Sequence, residues 1–223
     1  MIKFLDLYKQ DKKLHKIILK DINKLFKKGD FILGKEVLKF EDNFKTFCKS
    51  KYAISCGNGT DALTIALKSL SLPINSEVII PAMTYCSTAF AVINAGLTPI
   101  LVDTEFLRPT IDLIDLKKKI NKKTKVILPV HLYGSVANLN GIKKIIKKKD
   151  IYLVDDCAQA HGAYDDSSNT INKKRIGSAT DISCFSLYPG KNLGAYGDAG
   201  IITTNNKRLY NKIKKIRNLG SDK

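Results

Sequence analysis

The stretch Ser183-Cys-Phe-Ser-Leu-Tyr-Pro-Gly-Lys-Asn-Leu-Gly-Ala-Tyr-Gly-Asp-Ala-Gly200 joins a short apolar strand to a run of glycines, and it carries Lys191 directly after a Pro-Gly turn. Glycines at this density let the backbone approach a ligand closely. An amine that is removed from water becomes a nucleophile able to form a Schiff base. Taken alone, the segment more often indicates a surface lysine in a glycine-rich loop, so the rest of the chain must decide.

Short apolar runs alternate with helical patterns from residue 52 onward. The predicted strands are 52–55, 77–80, 99–102, 125–130 and 151–154, and the predicted helices are 60–70, 87–94, 113–120 and 140–148. This alternation predicts an α/β fold with a mostly parallel sheet and helices on both faces. Ligands of such sheets bind beyond the carboxyl ends of the strands. That rule selects the loops that begin at Ser55, Pro81, Asp103, His131, Asp155 and Ser186.

Residues 1–50 are predicted to form an amino-terminal helical leader, followed by one large domain over residues 51–223. The leader contains an amphipathic helix over 11–28, with Gly29 as its carboxyl-terminal cap, and a second helical pattern over 35–48. We expect the leader to pack on the large domain or on a second subunit. Residues 165–175 read as an exposed polar loop.

The net charge of +17 raises the possibility of nucleic-acid or membrane binding. The lysines, however, recur with apolar residues at helical spacing, which is typical of the polar faces of amphipathic helices. We therefore expect no nucleic-acid partner, and no apolar stretch is long enough to span a membrane. The five cysteines form no C-x-x-C pair and lie in or beside apolar runs, which predicts buried free thiols and a cytoplasmic protein.

The segment Ser55-Cys-Gly-Asn-Gly-Thr-Asp-Ala62 lies between a strand and a helix. Its glycines allow a tight turn, and the amides of Thr60 and Asp61 are expected to face an anion, as in a phosphate cradle. The segment also matches G-x-G-x-x-A, a weak dinucleotide signal, but the next strand does not end in the acid that a ribose needs. A glycine turn with a Thr/Asp helix cap is the structural alternative.

The other selected loops carry an aromatic ring, two acids and an amide. Tyr85 is suited to stacking on a flat heterocycle, although a lone tyrosine more often packs. Asp155 and Asp156 end an apolar strand, where they need a cationic partner such as a protonated ring nitrogen, unless one of them caps a helix. Gln159 is positioned to reach the same ligand. His131 and His161 have no metal-ligand spacing with the cysteines and are predicted to be hydrogen-bonded structural residues, with no metal site.

These loops together offer a phosphate cradle, a stacking ring, a carboxylate for a ring nitrogen and a nucleophilic lysine. Pyridoxal 5′-phosphate has the four matching parts. The sequence therefore predicts this cofactor.

Five motifs in order along the chain then resemble the DegT/DnrJ/StrS family of sugar-nucleotide aminotransferases. They are Gly57-Asn-Gly-Thr-Asp-Ala-Leu63, Pro81-Ala-Met-Thr-Tyr85, Pro129-Val-His-Leu-Tyr-Gly134, Asp155-Asp-Cys-Ala-Gln-Ala-His-Gly162 and Phe185-Ser-Leu-Tyr-Pro-Gly-Lys-Asn-Leu-Gly-Ala-Tyr-Gly-Asp-Ala-Gly200. The resemblance implies the fold of aspartate aminotransferase, a homodimeric assembly in the cytoplasm, and catalysis by Lys191 and Asp156.

The resemblance also assigns roles within the cofactor site. Lys191 would bind the cofactor covalently, Asp156 would pair with its ring nitrogen and Gln159 would contact the ring hydroxyl. Tyr85 would stack on the ring. The phosphate would be held by Gly59, Thr60, Asp61 and Ser186.

The resemblance further implies transfer of an amine from glutamate to a keto-sugar nucleotide. The motifs around Lys191, His131 and Gln159 look most like the branch that aminates C3 of a dTDP-3-keto-6-deoxyhexose, for deoxyamino-sugar and surface polysaccharide (lipopolysaccharide) biosynthesis. The family's carboxyl-terminal small domain is expected to be missing after residue 223. The alternatives are a non-catalytic remnant, a subunit that needs a partner, or a sugar dehydratase of the same family, against which Lys191 speaks because the dehydratases have histidine there.

Overall fold

The computed structural model describes residue 2, residues 4–165 and residues 175–221. Its α-helices are α1 (Leu7–Asp11), α2 (His15–Lys28), α3 (Lys35–Cys48), α4 (Gly59–Ser69), α5 (Ser87–Asn94), α6 (Leu113–Lys119), α7 (Leu139–Ile146) and α8 (Lys207–Arg217). Its strands are β1 (Tyr52–Cys56), β2 (Glu77–Pro81), β3 (Thr98–Val102), β4 (Thr124–Ile127), β5 (Tyr152–Asp156), β6 (Ile182–Ser186) and β7 (Gly200–Thr204). Most of the predicted polar loop 165–175 lies outside the described residues.

The seven strands form one sheet in the order β1-β7-β6-β5-β4-β2-β3. Strands β3, β2, β4, β5 and β6 pair in parallel, whereas β7 runs antiparallel to both β6 and β1. The prediction of a mostly parallel α/β sheet is confirmed. The sequence did not reveal β7, because this strand returns directly from the glycine-rich loop without an intervening helix.

Two apolar cores cover the two faces of the sheet. Helices α4, α5 and α8 pack on one face, and helices α3, α6 and α7 pack on the other. Consecutive residues of a strand point to opposite faces, as Cys184 and Phe185 of β6 do when they enter different cores. Because both faces are covered, the strands are almost entirely apolar.

Strand β4 is shorter than the predicted 125–130. Pro129 has no amide hydrogen to donate, so regular pairing ends at Ile127. The backbone nevertheless continues beside β5, since the amide of Asp156 donates to the carbonyl of Pro129 at 2.9 Å and the amide of His131 donates to that of Asp156 at 3.0 Å. This irregular segment delivers His131 to the edge where β5 ends.

The leader differs in part from its prediction. The predicted helix 11–28 begins instead at His15, after a separate short helix α1, while Gly29 has the left-handed cap conformation with φ 66°. Helix α2 buries none of its residues, but α3 buries Phe44 and Cys48 in the core. The division of the chain at residue 50 stays a prediction.

The cysteines are all free, but they are not all buried as predicted. Cys48, Cys157 and Cys184 are buried, Cys56 is half-buried and Cys86 is exposed. Cys86 immediately precedes α5 in a loop at the surface. The buried apolar residues that follow it lie on α5, whereas Cys86 itself stays outside the core. Within the described ranges, no helix combines the length and the apolar character needed to cross a membrane.

Candidate active site

A cavity of about 730 Å³ lies beyond the carboxyl ends of β1, β2, β5 and β6. Its wall includes all eight residues that the sequence predicts for the site: Gly59, Thr60, Asp61, Tyr85, Asp156, Gln159, Ser186 and Lys191. The structure therefore brings together side chains from four loops that are far apart in the sequence, at the edge where a parallel sheet binds its ligands.

The first turn of α4 forms one end of the cavity. Asn58 is the helix cap, because its Oδ1 accepts a hydrogen bond from the backbone amide of Asp61 at 2.8 Å. The side-chain NH₂ group of Asn58 donates in turn to the Asp61 carboxylate at 3.0 Å. The amides of Gly59 and Thr60 have no acceptor in the described part of the chain. Two unpaired N–H groups at a helix amino terminus favour an anion such as phosphate.

This arrangement corrects the prediction for Asp61 and for the cap. The amide of Asp61 was expected to face an anion, but it is occupied by Asn58. The alternative to a phosphate cradle was a glycine turn with Thr60 or Asp61 as the cap of α4. The cap of α4 lies instead at Asn58. The hydroxyl of Thr60 donates instead to Ser87 at 2.9 Å, which fixes the start of α4 against the start of α5.

Gly59 is required by close packing. A methyl group at Gly59 would lie 2.7 Å from Cβ of Ser186, well inside van der Waals contact. The end of β6 therefore presses directly on the first turn of α4. This contact places the Ser186 side chain beside the unpaired amides of Gly59 and Thr60.

Asp155 and Asp156 lie on opposite sides of the end of β5, so only one of them faces the cavity. Asp155 is fully buried, and it contacts Nε2 of His131 at 3.0 Å and accepts a hydrogen bond from Thr180 at 2.6 Å. Burial alone would raise the pKa of Asp155, but the hydrogen bond from His131, with the hydroxyls of Ser183 and Thr180, outweighs burial and lowers the pKa. Asp155 is thus satisfied within the protein.

Asp156 lines the cavity and is only 6% exposed. Its Oδ1 accepts from the amide of Ala158 and its Oδ2 accepts from the hydroxyl of Thr88, both at 3.0 Å. Burial raises its pKa, and the hydrogen bonds from Ala158 and Thr88 offset only part of that effect. A cationic group in the cavity would stabilise this carboxylate.

Lys191 lies in a closed loop between β6 and β7. The amide of Leu187 donates to the carbonyl of Ala199, and the amide of Ala195 donates back to the carbonyl of Leu187, both at 2.8 Å. The amide of Lys191 donates to the carbonyl of Tyr188 at 2.8 Å and completes the turn. The half-buried side chain reaches the cavity, where its ammonium lies near enough to Asp156 to lower the pKa of that carboxyl.

Gln159 and Tyr85 complete the wall. Oε1 of Gln159 accepts a hydrogen bond from the amide of Tyr133 at 2.6 Å, which leaves the NH₂ group as the donor for a ligand. Tyr133 has a left-handed backbone with φ 55° and ψ 21°, a conformation that is uncommon for a residue other than glycine. Tyr85 is 72% exposed at the mouth of the cavity, where its ring is accessible to a ligand.

The two histidines differ from each other. Nδ1 of His131 accepts from the amide of Ala137 at 3.1 Å, so Nε2 carries the hydrogen and donates to Asp155. This agrees with the predicted structural role. Neither ring nitrogen of His161 forms a hydrogen bond of good geometry among the described residues, contrary to the prediction, although the ring lies beside the backbone of Ser186. The His161 ring packs on Phe185 with 5.3 Å between ring centroids, and burial lowers its pKa to about 4.

A potential metal cluster lies behind the cavity wall. The ligand atoms of His131, Asp155 and Cys157 lie within 4.8 Å of one another. The histidine and the carboxylate are already hydrogen-bonded to each other. Burial raises the pKa of the Cys157 thiol well above its usual value, which disfavours the thiolate that a metal needs. The arrangement fits a structural hydrogen-bond cluster.

Sequence reasoning missed five residues that shape the site: Asn58, Thr84, Ser87, Thr88 and Tyr133. Asn58 has a recognisable signal, because an asparagine three residues before an acid at a helix start is typical of a cap. The hydroxyl residues give no such signal, since their partners lie on other loops.

The fold and the cavity together define an α/β domain whose cavity combines a lysine, a helix start with unpaired amides and a buried carboxylate. The DegT/DnrJ/EryC1/StrS aminotransferase family model matches residues 12–223. The chain therefore belongs to the DegT/DnrJ/EryC1/StrS aminotransferase family, as its motifs predict.

Relatives and solved structures support this membership. A dTDP-3-amino-3,6-dideoxy-alpha-D-galactopyranose transaminase of Aneurinibacillus thermoaerophilus is 42% identical over 223 residues, covering 100% of this chain and 60% of the relative. The crystal structure of DesV from Streptomyces venezuelae, in complex with a ketimine intermediate, has a TM-score of 0.93 and 35% identity, covering 100% of this chain and 58% of that one. The chain spans 56% to 60% of the length of the first curated relatives it matches.

A further structure bears on the cofactor. NtdA from Bacillus subtilis has a TM-score of 0.88 and 32% identity, covering 96% of this chain and 47% of that one, and it holds the cofactor PMP, the amino form of pyridoxal phosphate. The cofactor of that protein is a form of the one that the sequence predicts for this chain.

Proposed function

We propose that this chain supplies the cofactor-binding part of a pyridoxal-phosphate-dependent sugar-nucleotide aminotransferase. One observation carries the proposal: Lys191, Asp156 and the unpaired amides of Gly59 and Thr60 line a single cavity. Each of them matches one part of the cofactor, namely its aldehyde, its ring nitrogen and its phosphate.

The residues divide between holding the cofactor and moving protons. The phosphate would be held at the helix start and the adjoining strand end, and the exposed ring of Tyr85 would be available for stacking. The residues of this cofactor site are Gly59, Thr60, Asp61, Tyr85, Asp156, Gln159, Ser186 and Lys191. Among them Asp61 acts through the Asn58 cap, because its own amide is already bonded.

When bound, pyridoxal phosphate supplies an electron sink for the carbon that loses a proton. Asp156 would keep the ring nitrogen protonated, because a buried carboxylate with a raised pKa gains most from a cation at this position. Lys191 would hold the cofactor through its amine and would carry the proton to and from the reacting carbon. The NH₂ group of Gln159 would donate to the ring hydroxyl.

The proposed amino donor is glutamate, and the proposed acceptor is a dTDP-3-keto-6-deoxyhexose that is aminated at C3. The name of the Aneurinibacillus thermoaerophilus relative supports a 3-amino product. Such products serve deoxyamino-sugar and lipopolysaccharide biosynthesis. The dehydratase alternative is disfavoured, since Lys191 stands where that branch has histidine.

We place the protein in the cytoplasm as a homodimer. The free cysteines support a reducing compartment. Helix α2 has a strong apolar stripe, yet Ile17, Ile22 and Phe26 are 57%, 38% and 64% exposed. A second subunit on this stripe would bury it.

Reductive trapping tests the cofactor site. The chain is mixed with pyridoxal phosphate, reduced with borohydride and digested for mass spectrometry. The expected adduct is on Lys191. Lys191→Arg, which keeps the charge but cannot form the adduct, should lose the label, whereas Lys214→Arg, at an exposed position of α8, should keep it. A label on other lysines with Lys191 unmodified would contradict the proposal.

A second assay tests the substrate. The chain is supplied with glutamate and, in parallel, the 3-keto and 4-keto dTDP-6-deoxyhexoses, and the amino sugars formed are measured. Faster amination of the 3-keto sugar is expected. Faster amination of the 4-keto sugar would overturn the C3 assignment alone. An adduct on Lys191 without any amination would favour the alternative of a remnant or a subunit that needs a partner.

A further inference from the structure

A series of hydrogen bonds through Thr84 and Thr88 leads from the cavity wall to Asp156. Oγ1 of Thr84 lies 2.7 Å from Oγ1 of Thr88, and Oγ1 of Thr88 lies 3.0 Å from Oδ2 of Asp156. Thr88 is fully buried on the first turn of α5, whereas Asp156 ends β5. The hydrogen bonds thus join α5 to the end of β5 through two residues that are 68 positions apart in sequence.

The hydroxyl hydrogens of Thr84 and Thr88 have only one consistent arrangement when Asp156 is ionised. A carboxylate only accepts hydrogen bonds, and a hydroxyl has a single hydrogen to donate. Thr88 therefore donates to Asp156 and must accept from Thr84. The hydrogen of Thr84 is then used, and its oxygen faces the cavity only as an acceptor.

Protonation of Asp156 at Oδ2 reverses this arrangement. The carboxylic acid then donates to Thr88, and Thr88 donates to Thr84. The hydroxyl hydrogen of Thr84 becomes available to the cavity. The protonation state of Asp156 therefore determines whether Thr84 offers a ligand a donor or only an acceptor.

We propose that Thr88 is a positioning residue that holds Asp156 ionised and aimed into the cavity, and that Thr84 transmits the state of Asp156 to the cavity wall. The inference rests on the proposed function, because it takes a ring nitrogen as the partner of Asp156. Together, the amide of Ala158 on Oδ1 and the hydroxyl of Thr88 on Oδ2 fix the carboxylate plane. Loss of either donor frees that plane and removes a hydrogen bond to a buried charge.

Other titratable groups also face Asp156. Lys191 favours its ionised form, and His131 would do so only on gaining a second ring proton. The thiols of Cys157 and Cys184 lie close, and burial raises the pKa of both, with the charge of Asp156 adding to that effect. These groups are the same in a threonine variant, so a change on substitution of Thr88 reports on the hydroxyl itself.

Binding measurements with two ligands test the positioning role. The first ligand is pyridoxal phosphate, and the second is its 1-deaza analogue, which lacks the ring nitrogen. Thr88→Val, which keeps the shape but lacks the hydroxyl, should weaken pyridoxal phosphate binding roughly tenfold and leave binding of the analogue unchanged. Thr88→Ser should restore the affinity.

A matched control removes a comparable buried hydroxyl elsewhere. Thr203 is fully buried on β7, and its hydroxyl donates to the carbonyl of Gly177 at 2.7 Å. Thr203→Val should leave the ratio of the two affinities unchanged. An equal loss of both ligands in Thr88→Val, or no loss at all, would overturn the inference.

A second readout needs no ligand, so it separates this inference from the proposed function. Asp156 is followed by carbon NMR in the chain labelled at aspartate, with its signal assigned by Asp156→Asn. Thr88→Val should move the titration midpoint of Asp156 upward by about one pH unit. An unchanged midpoint would refute the role of Thr88 even if the chain bound pyridoxal phosphate. Conversely, failure of the wild-type chain to bind the cofactor would count only against the proposed function.

Discussion

Nη1 of Arg217 on α8 donates a hydrogen bond to Oε1 of Glu41 on α3 at 3.0 Å, and the two side chains are only 9% and 12% exposed. The same carboxylate oxygen accepts from the amide and the hydroxyl of Ser55, both at 2.8 Å. Ser55 lies in β1, three residues before the cap of α4. The pair therefore connects the leader and the last helix to the strand that leads into the proposed phosphate site.

The first prediction concerns this pair. Glu41→Gln keeps an acceptor for Ser55 but leaves the Arg217 cation largely buried without its counter-ion. The free energy of unfolding should fall by about 3 kcal/mol, as measured by urea denaturation. Glu36→Gln is the control, because Glu36 and Lys28 form a pair at 3.7 Å that is more than half exposed, and it should cost less than about 1 kcal/mol. Equal effects of the two substitutions would show that the Glu41 pair is not stabilising.

The second prediction concerns the contact between Gly59 and Ser186. In Gly59→Ala the new methyl group meets Cβ of Ser186 at 2.7 Å, so α4 and β6 must separate. We expect a loss of about 1–3 kcal/mol in stability and a weakening of pyridoxal phosphate binding by roughly tenfold or more.

Gly29→Ala is the control for that substitution. Gly29 has φ 66°, but a methyl group there meets no atom within 4 Å. It should cost about 1 kcal/mol in stability through backbone strain and leave cofactor affinity unchanged. Unchanged affinity in Gly59→Ala as well would remove this helix start from the phosphate site.

The third prediction concerns the cost of burying Asp156. Burial raises its pKa in the folded chain above the unfolded value of about 3.9. The folded state therefore loses stability relative to the unfolded state as the pH rises above about 4. Asp156→Asn removes this loss and should make the cofactor-free chain more stable than the wild type at pH 7.

The asparagine should also fit the existing hydrogen bonds. Its Oδ1 can accept from Ala158, and its NH₂ group can donate to Thr88 once that hydroxyl reverses. Urea denaturation at pH 4 and pH 7 measures the effect, and the same variant should bind pyridoxal phosphate more weakly. If Asp156→Asn were less stable than the wild type at pH 7, the carboxylate would be stabilising and the argument from burial would be wrong.

The sequence predicted those features that depend on local pattern. The apolar runs placed β1 through β6, because a strand that is buried on both faces needs a continuous apolar stretch. The break after Pro189 and the glycines beyond it indicated the loop that holds Lys191. Gly29 was predicted as a cap, since only a left-handed residue ends α2 in this way.

The features that sequence missed depend on contacts between distant segments. Nothing in Asp155-Asp156 shows which acid faces the ligand, because His131 and Thr88, which separate their roles, lie on other loops. The reversal of β7 depends on the closed loop from 187 to 199. The backbone amide of Asp61 does not face the anion site, because it donates to the capping side chain of Asn58.

The last prediction concerns His161, whose ring nitrogens form no hydrogen bond of good geometry among the residues described. Burial lowers its folded pKa to about 4, whereas an unfolded histidine titrates near about 6.5. A group of this kind is neutral in both states above about pH 6.5, and the folded chain loses stability as the pH falls from there towards about 4.

His161→Phe keeps a ring against Phe185 and removes the titration. Its stability should therefore match or exceed that of the wild type at pH 7, and it should fall less steeply between pH 6.5 and pH 4 in urea denaturation. A His161→Phe slope equal to that of the wild type would show that the imidazole gains a proton without cost in the folded chain.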